Sequence, residues 1–121
     1  MFDNLPNSIE YIRSGRVRGL AVTTAMRSEA LPGVPTVGDF VPGYEAISWW
    51  GIGAPKNTPV QVVETLNGQI NAGLANPLIA KQFANLAATV SPSSSAEFRS
   101  FIANETAKWA KVIKFAGVKV E

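Results

Sequence analysis

The rhythm of apolar and polar positions changes near the middle of the chain. The first fifty residues hold short apolar runs broken by Pro and Gly, whereas the second half repeats apolar residues three and four apart. Near the start, Ile9, Tyr11 and Ile12 make a brief helical stripe that Gly15 stops as a left-handed cap. The following "VRGLAVTT" reads as a strand over 17–23, with Val17, Leu20 and Val22 suited to burial. A helix that feeds a strand in this way predicts an α/β fold. Pro32, Pro35 and Pro42, with Gly33, Gly38 and Gly43 among them, then rule out a long helix or a central strand. That segment has room for one helical turn over Thr36 to Phe40, capped by Thr36. "YEAISWWGIGAP" alternates and is rich in aromatic and β-branched residues, so Glu45 to Ile52 reads as a second strand.

Three capped helices follow. Thr58, Pro59 and Gln61 predict a capping box and a proline at the first helical position, ahead of an apolar face of Val62, Val63, Leu66, Ile70 and Leu74. Asn76 and Pro77 open the next helix, lined by Leu78, Ile79, Phe83 and Leu86. After a short strand or extended link at 88–91, Ser94 and Glu97 form another capping box. The last helix carries Phe98, Phe101, Ile102, Trp109, Val112 and Ile113 and ends at Gly117. Trp109 is expected in the core, and Glu105 is expected to pair with Lys108 or turn outward. Three scattered strands are too few for a self-sufficient parallel sheet, so the pattern predicts a piece of a larger sheet protein.

Composition narrows the chemistry. The 121 residues suit one modest domain, and an apolar share of 46% fits a globular chain. The formal charge is +2 with no run of Lys or Arg, so no nucleic-acid footprint is present. Cys and His are both absent. That excludes disulfides, thiolate nucleophiles, Ser-His-Asp triads and His- or Cys-ligated metals. No carboxylate pair is placed for acid–base work, and "GIGAP" lacks the helix and third glycine of a nucleotide fingerprint. The expectation is a non-enzyme with no cofactor and no metal. The opening "MFDNLPNSIEY" has no positive region followed by an apolar one, so it does not read as a signal peptide, and no window has the apolar length of a membrane span.

Several motifs in order carry a resemblance. The "FDNLP" turn, "IRSGRVRGLAVTT", "LPGVPTV", "PGYE", "SWWGIGAPKNTP" and the late "ETAKWAKVIKFAGVKVE" together resemble the C-terminal portion of the Bug, or tripartite tricarboxylate transporter, periplasmic substrate-binding proteins. The resemblance implies an α/β fold that is part of a type II periplasmic-binding-protein-like, two-lobed clamshell. Residues 1–50 would belong to the second lobe, 51–57 would cross between lobes, and 58–121 would be helices completing the first lobe. It further implies capture of a small organic acid by lobe closure, delivery to a membrane permease, and a periplasmic location. Because the opening residues do not read as a signal peptide, a cytoplasmic location is the alternative expectation for the chain as it stands. The competing expectation is a truncated stand-alone relative that binds no ligand and forms a homodimer by exchanging its C-terminal helices.

Candidate site residues follow from both readings. In α/β folds, ligands sit beyond the carboxyl ends of strands, which singles out Asp3 and Asn4. Asn4 could donate an amide N–H to a carboxylate, and Asp3 could orient an amine or a water. Asx-turn chemistry at the next helix is the plainer role for both. The helix start at Pro6 to Ser8 could bind an anion through its N–H groups, which adds Ser8. Arg27 could grip a carboxylate, or be a solvated loop residue. Trp49 could wall a cleft, or pack in a core. Gly51, Gly53 and Pro55 are the expected hinge, in the segment where the resemblance implies a crossing between lobes.

Overall fold

A computed structural model describes residues 1–118, and the last three residues of the "ETAKWAKVIKFAGVKVE" motif lie outside it. The elements run α1 (Leu5–Arg13), a 3-10 turn (Val37–Asp39), α2 (Val60–Leu74), α3 (Pro77–Asn85) and α4 (Ser95–Ala116). They fall into two compact units. One holds Met1–Gly53 and Leu74–Val90, and the other holds Ala54–Gly73 and Ser91–Glu121.

In the first unit, α1 ends as its sequence predicts. Ser14 is the C-cap, its N–H donates to Glu10 O, and Gly15 follows at φ +72°. Ile9 is 2% exposed and is the buried apolar side chain among the described residues. Its burial contributes about 1.5–3 kcal/mol. A Cβ on Gly19 would lie 3.6 Å from both Ile12 and Val34, so the chain passes closely between α1 and the proline-rich segment.

The expected strand at 17–23 is reduced to one parallel bridge between Val22 and Thr36. Val22 N–H donates to Pro35 O at 2.8 Å, Val37 N–H donates to Val22 O at 2.8 Å, and Ala46 N–H reaches Thr23 O at 2.9 Å. Neither 45–52 nor 88–91 forms a ladder in the described residues. The physical reason is lateral: an extended segment becomes a strand only where a neighbour accepts its N–H groups. The turn at Thr36 forms as expected. Its hydroxyl accepts from Asp39 N–H, the Asp39 carboxylate accepts from Thr36 N–H, and Thr36 is 4% exposed.

In the second unit, α2 starts one residue later than its sequence predicts. Thr58 does not cap it. The Thr58 hydroxyl instead donates to Pro55 O at 2.8 Å, and Pro59 O accepts from Val62 and Val63 N–H. Val63, Ile70 and Leu74 are half-buried, whereas Val62 and Leu66 are exposed. The Asn67 and Asn71 amides both donate to Ser93 O, at 2.9 and 3.0 Å, which ties α2 to the entry of α4. Ser94 and Glu97 make the expected capping box, and Gly117 ends α4 at φ +64°. In the first unit, Asn76 caps α3 as expected, its side chain accepting from Leu78 N–H at 2.9 Å.

One expectation on α4 is corrected. Trp109 is not in a core: it is 38% exposed, and its indole N–H donates to Glu105 at 3.0 Å. Glu105 takes the first of its two expected roles, pairing with Lys108, and is 9% exposed.

Candidate functional site

The turn that opens α1 gathers three of the candidate residues. Asn4 is the N-cap residue of α1 with extended backbone (φ −71°, ψ 128°), yet its side chain does not cap the helix. Its Oδ1 instead accepts a hydrogen bond from Ser48 Oγ at 2.5 Å, across 44 residues of sequence. That contact leaves the amide NH2 of Asn4, an exposed side chain, pointing its donors elsewhere. Ser8 Oγ donates to Asp3 Oδ2, and this bond holds the Asp3 carboxyl below the usual aspartate range. The helix start is less open to an anion than expected. Pro6 has no N–H, and Asn7 N–H already donates to Asn4 O at 2.9 Å.

Ser48 is the residue that sequence reasoning missed. Its signal is a lone hydroxyl inside an otherwise apolar run, directly before Trp49 and Trp50. Trp49 is therefore adjacent in sequence to the Asn4–Ser48 contact, and it is 40% exposed where Trp50 is 73% exposed.

Arg27 is not brought to this turn. Its guanidinium lies 3.3 Å from Asp39 Oδ2, with both side chains exposed. Asp39 is held below the usual aspartate range first by the Thr36 hydroxyl, then by Thr36 N–H and by Arg27. The nearby concavity of about 340 Å³ is lined by Ala25, Thr36, Gly38, Asp39, Gly43, Tyr44 and Glu45. Its ionisable groups are two carboxylates and a phenol, a lining that repels an anionic solute. Gly51, Gly53 and Pro55 lie in an exposed run without regular secondary structure. None of the three has a left-handed φ; the nearest such residue is Asn57, at +70°. Among the described residues, no group of three or more His, Cys, Asp or Glu could hold a metal ion, and no helix is long and apolar enough to cross a membrane.

The model for the tripartite tricarboxylate transporter family receptor matches residues 1–118. The chain belongs to this receptor family. Protein BugT of Bordetella pertussis is 35% identical over 120 residues, covering 98% of this chain and 37% of that protein. A protein encoded in the tcbD-tcbE intergenic region of a Pseudomonas species is 35% identical over 115 residues, covering 93% of this chain and 34% of that one. This receptor-family chain thus spans about a third of the length of those relatives.

Solved structures agree. The structure described as R. palustris Rpa4515 with adipate superposes with a TM-score of 0.84 at 38% identity, over 95% of this chain and 39% of that one. The periplasmic binding protein BugD superposes at 0.82 with 32% identity, over 94% of this chain and 39% of that one. The α/β reading is thereby placed within the periplasmic-binding-protein fold, of which this chain is one part.

Proposed function

We propose that these residues form part of an extracytoplasmic receptor that captures a small carboxylate and presents it to a membrane permease. The observation that carries this reading is the family match over residues 1–118, joined to a superposable relative described with adipate. Capture needs no bond-making chemistry, and neither His nor Cys occurs in the sequence. The location that goes with it is periplasmic, as for BugD.

The turn at α1 supplies the recognition chemistry in this proposal. Ser48 fixes the Asn4 amide by taking its carbonyl oxygen, so the NH2 group is presented in one orientation to a ligand carboxylate. Fixing a donor before binding lowers the ordering cost of the complex. Asp3, held ionised by Ser8, would reject a second carboxylate at the same place and favours an amine or a water. Trp49 contributes apolar wall. Gly51, Gly53 and Pro55 would take up the backbone change on closure, in a run where no large side chain except Ile52 intervenes.

Thermal shift against straight-chain dicarboxylates, aromatic acids and amino acids tests the proposal. A true ligand at a hundred times its Kd should stabilise the chain by about 2.7 kcal/mol. A dicarboxylate that shifts the melt, with aromatic acids and amino acids silent, supports it. A shift from amino acids alone would replace the ligand class, and a silent panel would remove the binding role.

A further inference from the structure

The tie between α2 and the entry of α4 centres on Asn67. Its Nδ2 donates to Ser93 O at 2.9 Å, and Asn71 Nδ2 donates to the same oxygen at 3.0 Å. Asn71 Nδ2 also lies 3.3 Å from Asn67 Oδ1, so each polar atom of the Asn67 amide makes a hydrogen bond. The next residue is Gly68, and no other asparagine of the chain precedes a glycine. Gly68 is exposed, and a Cβ built on it would meet nothing within 4 Å. An Asn-Gly pair carries chemistry of its own, because no side chain shields the glycine nitrogen from the asparagine amide. Inside a helix that nitrogen is committed to the carbonyl four residues earlier. The grip of α2 on it is weak. Gly68 and Gly73, poor helix formers, both lie within Val60–Leu74, and the helix has no buried residue.

We infer that Asn67 is a site of spontaneous deamidation controlled by the opening of α2, and that the reaction undoes its tie to Ser93 irreversibly. When the second half of α2 opens, the Gly68 nitrogen gives its proton to hydroxide and attacks Asn67 Cγ. The new carbon–nitrogen bond closes a cyclic imide, and the side-chain nitrogen takes a proton from water and leaves as ammonia. Water then adds to either imide carbonyl and breaks its bond to the ring nitrogen. One ring opening gives aspartate and the other isoaspartate. Nothing is oxidised or reduced, and water is the co-reactant. Either product carries a carboxylate in place of the amide, and a carboxylate cannot donate to Ser93 O. Isoaspartate also adds a methylene to the main chain, which the helical ladder cannot absorb. Asn71 is then left to hold the entry of α4. The inference does not depend on the receptor reading.

The test incubates the 121-residue chain in mildly alkaline buffer, folded and in urea, and follows α2 by peptide mapping with isoaspartate detection. Conversion at Asn67 should appear in the folded chain, roughly tenfold or more slower than in urea, since it waits on opening. Asn71→Val keeps the Asn-Gly pair and a similar helix propensity but removes one of the two bonds to Ser93. It should speed conversion of the folded chain roughly threefold to tenfold, the effect of one hydrogen bond on an opening equilibrium. The rate in urea should not change. Gly68→Ala should suppress conversion in both states. Asn67→Asp, which reproduces one product, should unfold at lower urea than the parent chain. Equal rates in the folded chain and in urea would overturn the inference, as would a folded rate that Asn71→Val leaves untouched. So would conversion at Asn57 or Asn104 that outpaces Asn67 in urea, or an Asn67→Asp chain as stable as the parent.

Discussion

Asn4 shows how much a single side chain can decide. An Asn before a helix ordinarily caps it, a bond worth about 1 kcal/mol. Here the oxygen is given to Ser48 and the cap is forgone. That exchange makes sense if the amide hydrogens are wanted for something else. Asn4→Ala should lower affinity for the carboxylate ligand roughly tenfold to a hundredfold, the worth of a hydrogen bond to a charged group. Ser48→Ala should lower it less, because the donor stays but loses its fixed orientation; equilibrium dialysis with labelled ligand compares the two. Asp39 gives a pH test. Its folded-state ionisation is shifted down by the Thr36 hydroxyl, Thr36 N–H and Arg27. A depressed carboxyl stabilises fully above its unfolded value, about 4, and the contribution fades as pH falls through the folded value. Asp39→Asn should therefore lower the melting temperature at neutral pH and flatten the acid limb below about pH 4, as read by melts across a pH series.

At the scale of elements, the caps separate what was legible in the sequence from what was not. Ser94 with Glu97, Asn76 with Pro77, Thr36 with Asp39, and the stops at Gly15 and Gly117 all form where short-range chemistry predicts them. Each needs only neighbours a few residues away. Thr58 makes no cap, and its hydroxyl donates instead to the Pro55 carbonyl within the same local window. The expected strands needed distant partners, and they found only the Val22–Thr36 bridge and the Ala46 N–H to Thr23 O bond among the described residues. Ser48 went unnoticed for the same reason, since its partner lies 44 positions away. Ser94→Ala should cost about 1 kcal/mol in urea unfolding. Two glycines should respond with opposite signs. Gly68, inside α2 with open space around its Cβ position, should gain about 0.5–1 kcal/mol as alanine. Gly117, at φ +64°, should lose a similar amount, about 1 kcal/mol; chemical denaturation reads both.

For the molecule as a whole, the large exposed apolar side chains matter more than any contact. Leu20, Phe40, Trp50, Ile52 and Leu78 in one unit, and Val60, Phe115 and Val118 in the other, are each at least 61% exposed. A folded chain with one buried apolar side chain among its described residues lacks the cover that a self-sufficient domain of this length would have. The BugT and tcbD-tcbE relatives are each about three times the length of this chain. The proposal places carboxylate recognition at the α1 turn, and that is where the account is most exposed to contradiction. Isothermal titration of a straight-chain dicarboxylate series into the chain, with Asn4→Ala alongside, is the most direct test. The account predicts saturable one-to-one binding of at least one member, and a clear loss in the variant. Flat titrations across the series, or binding that Asn4→Ala leaves untouched, would contradict it.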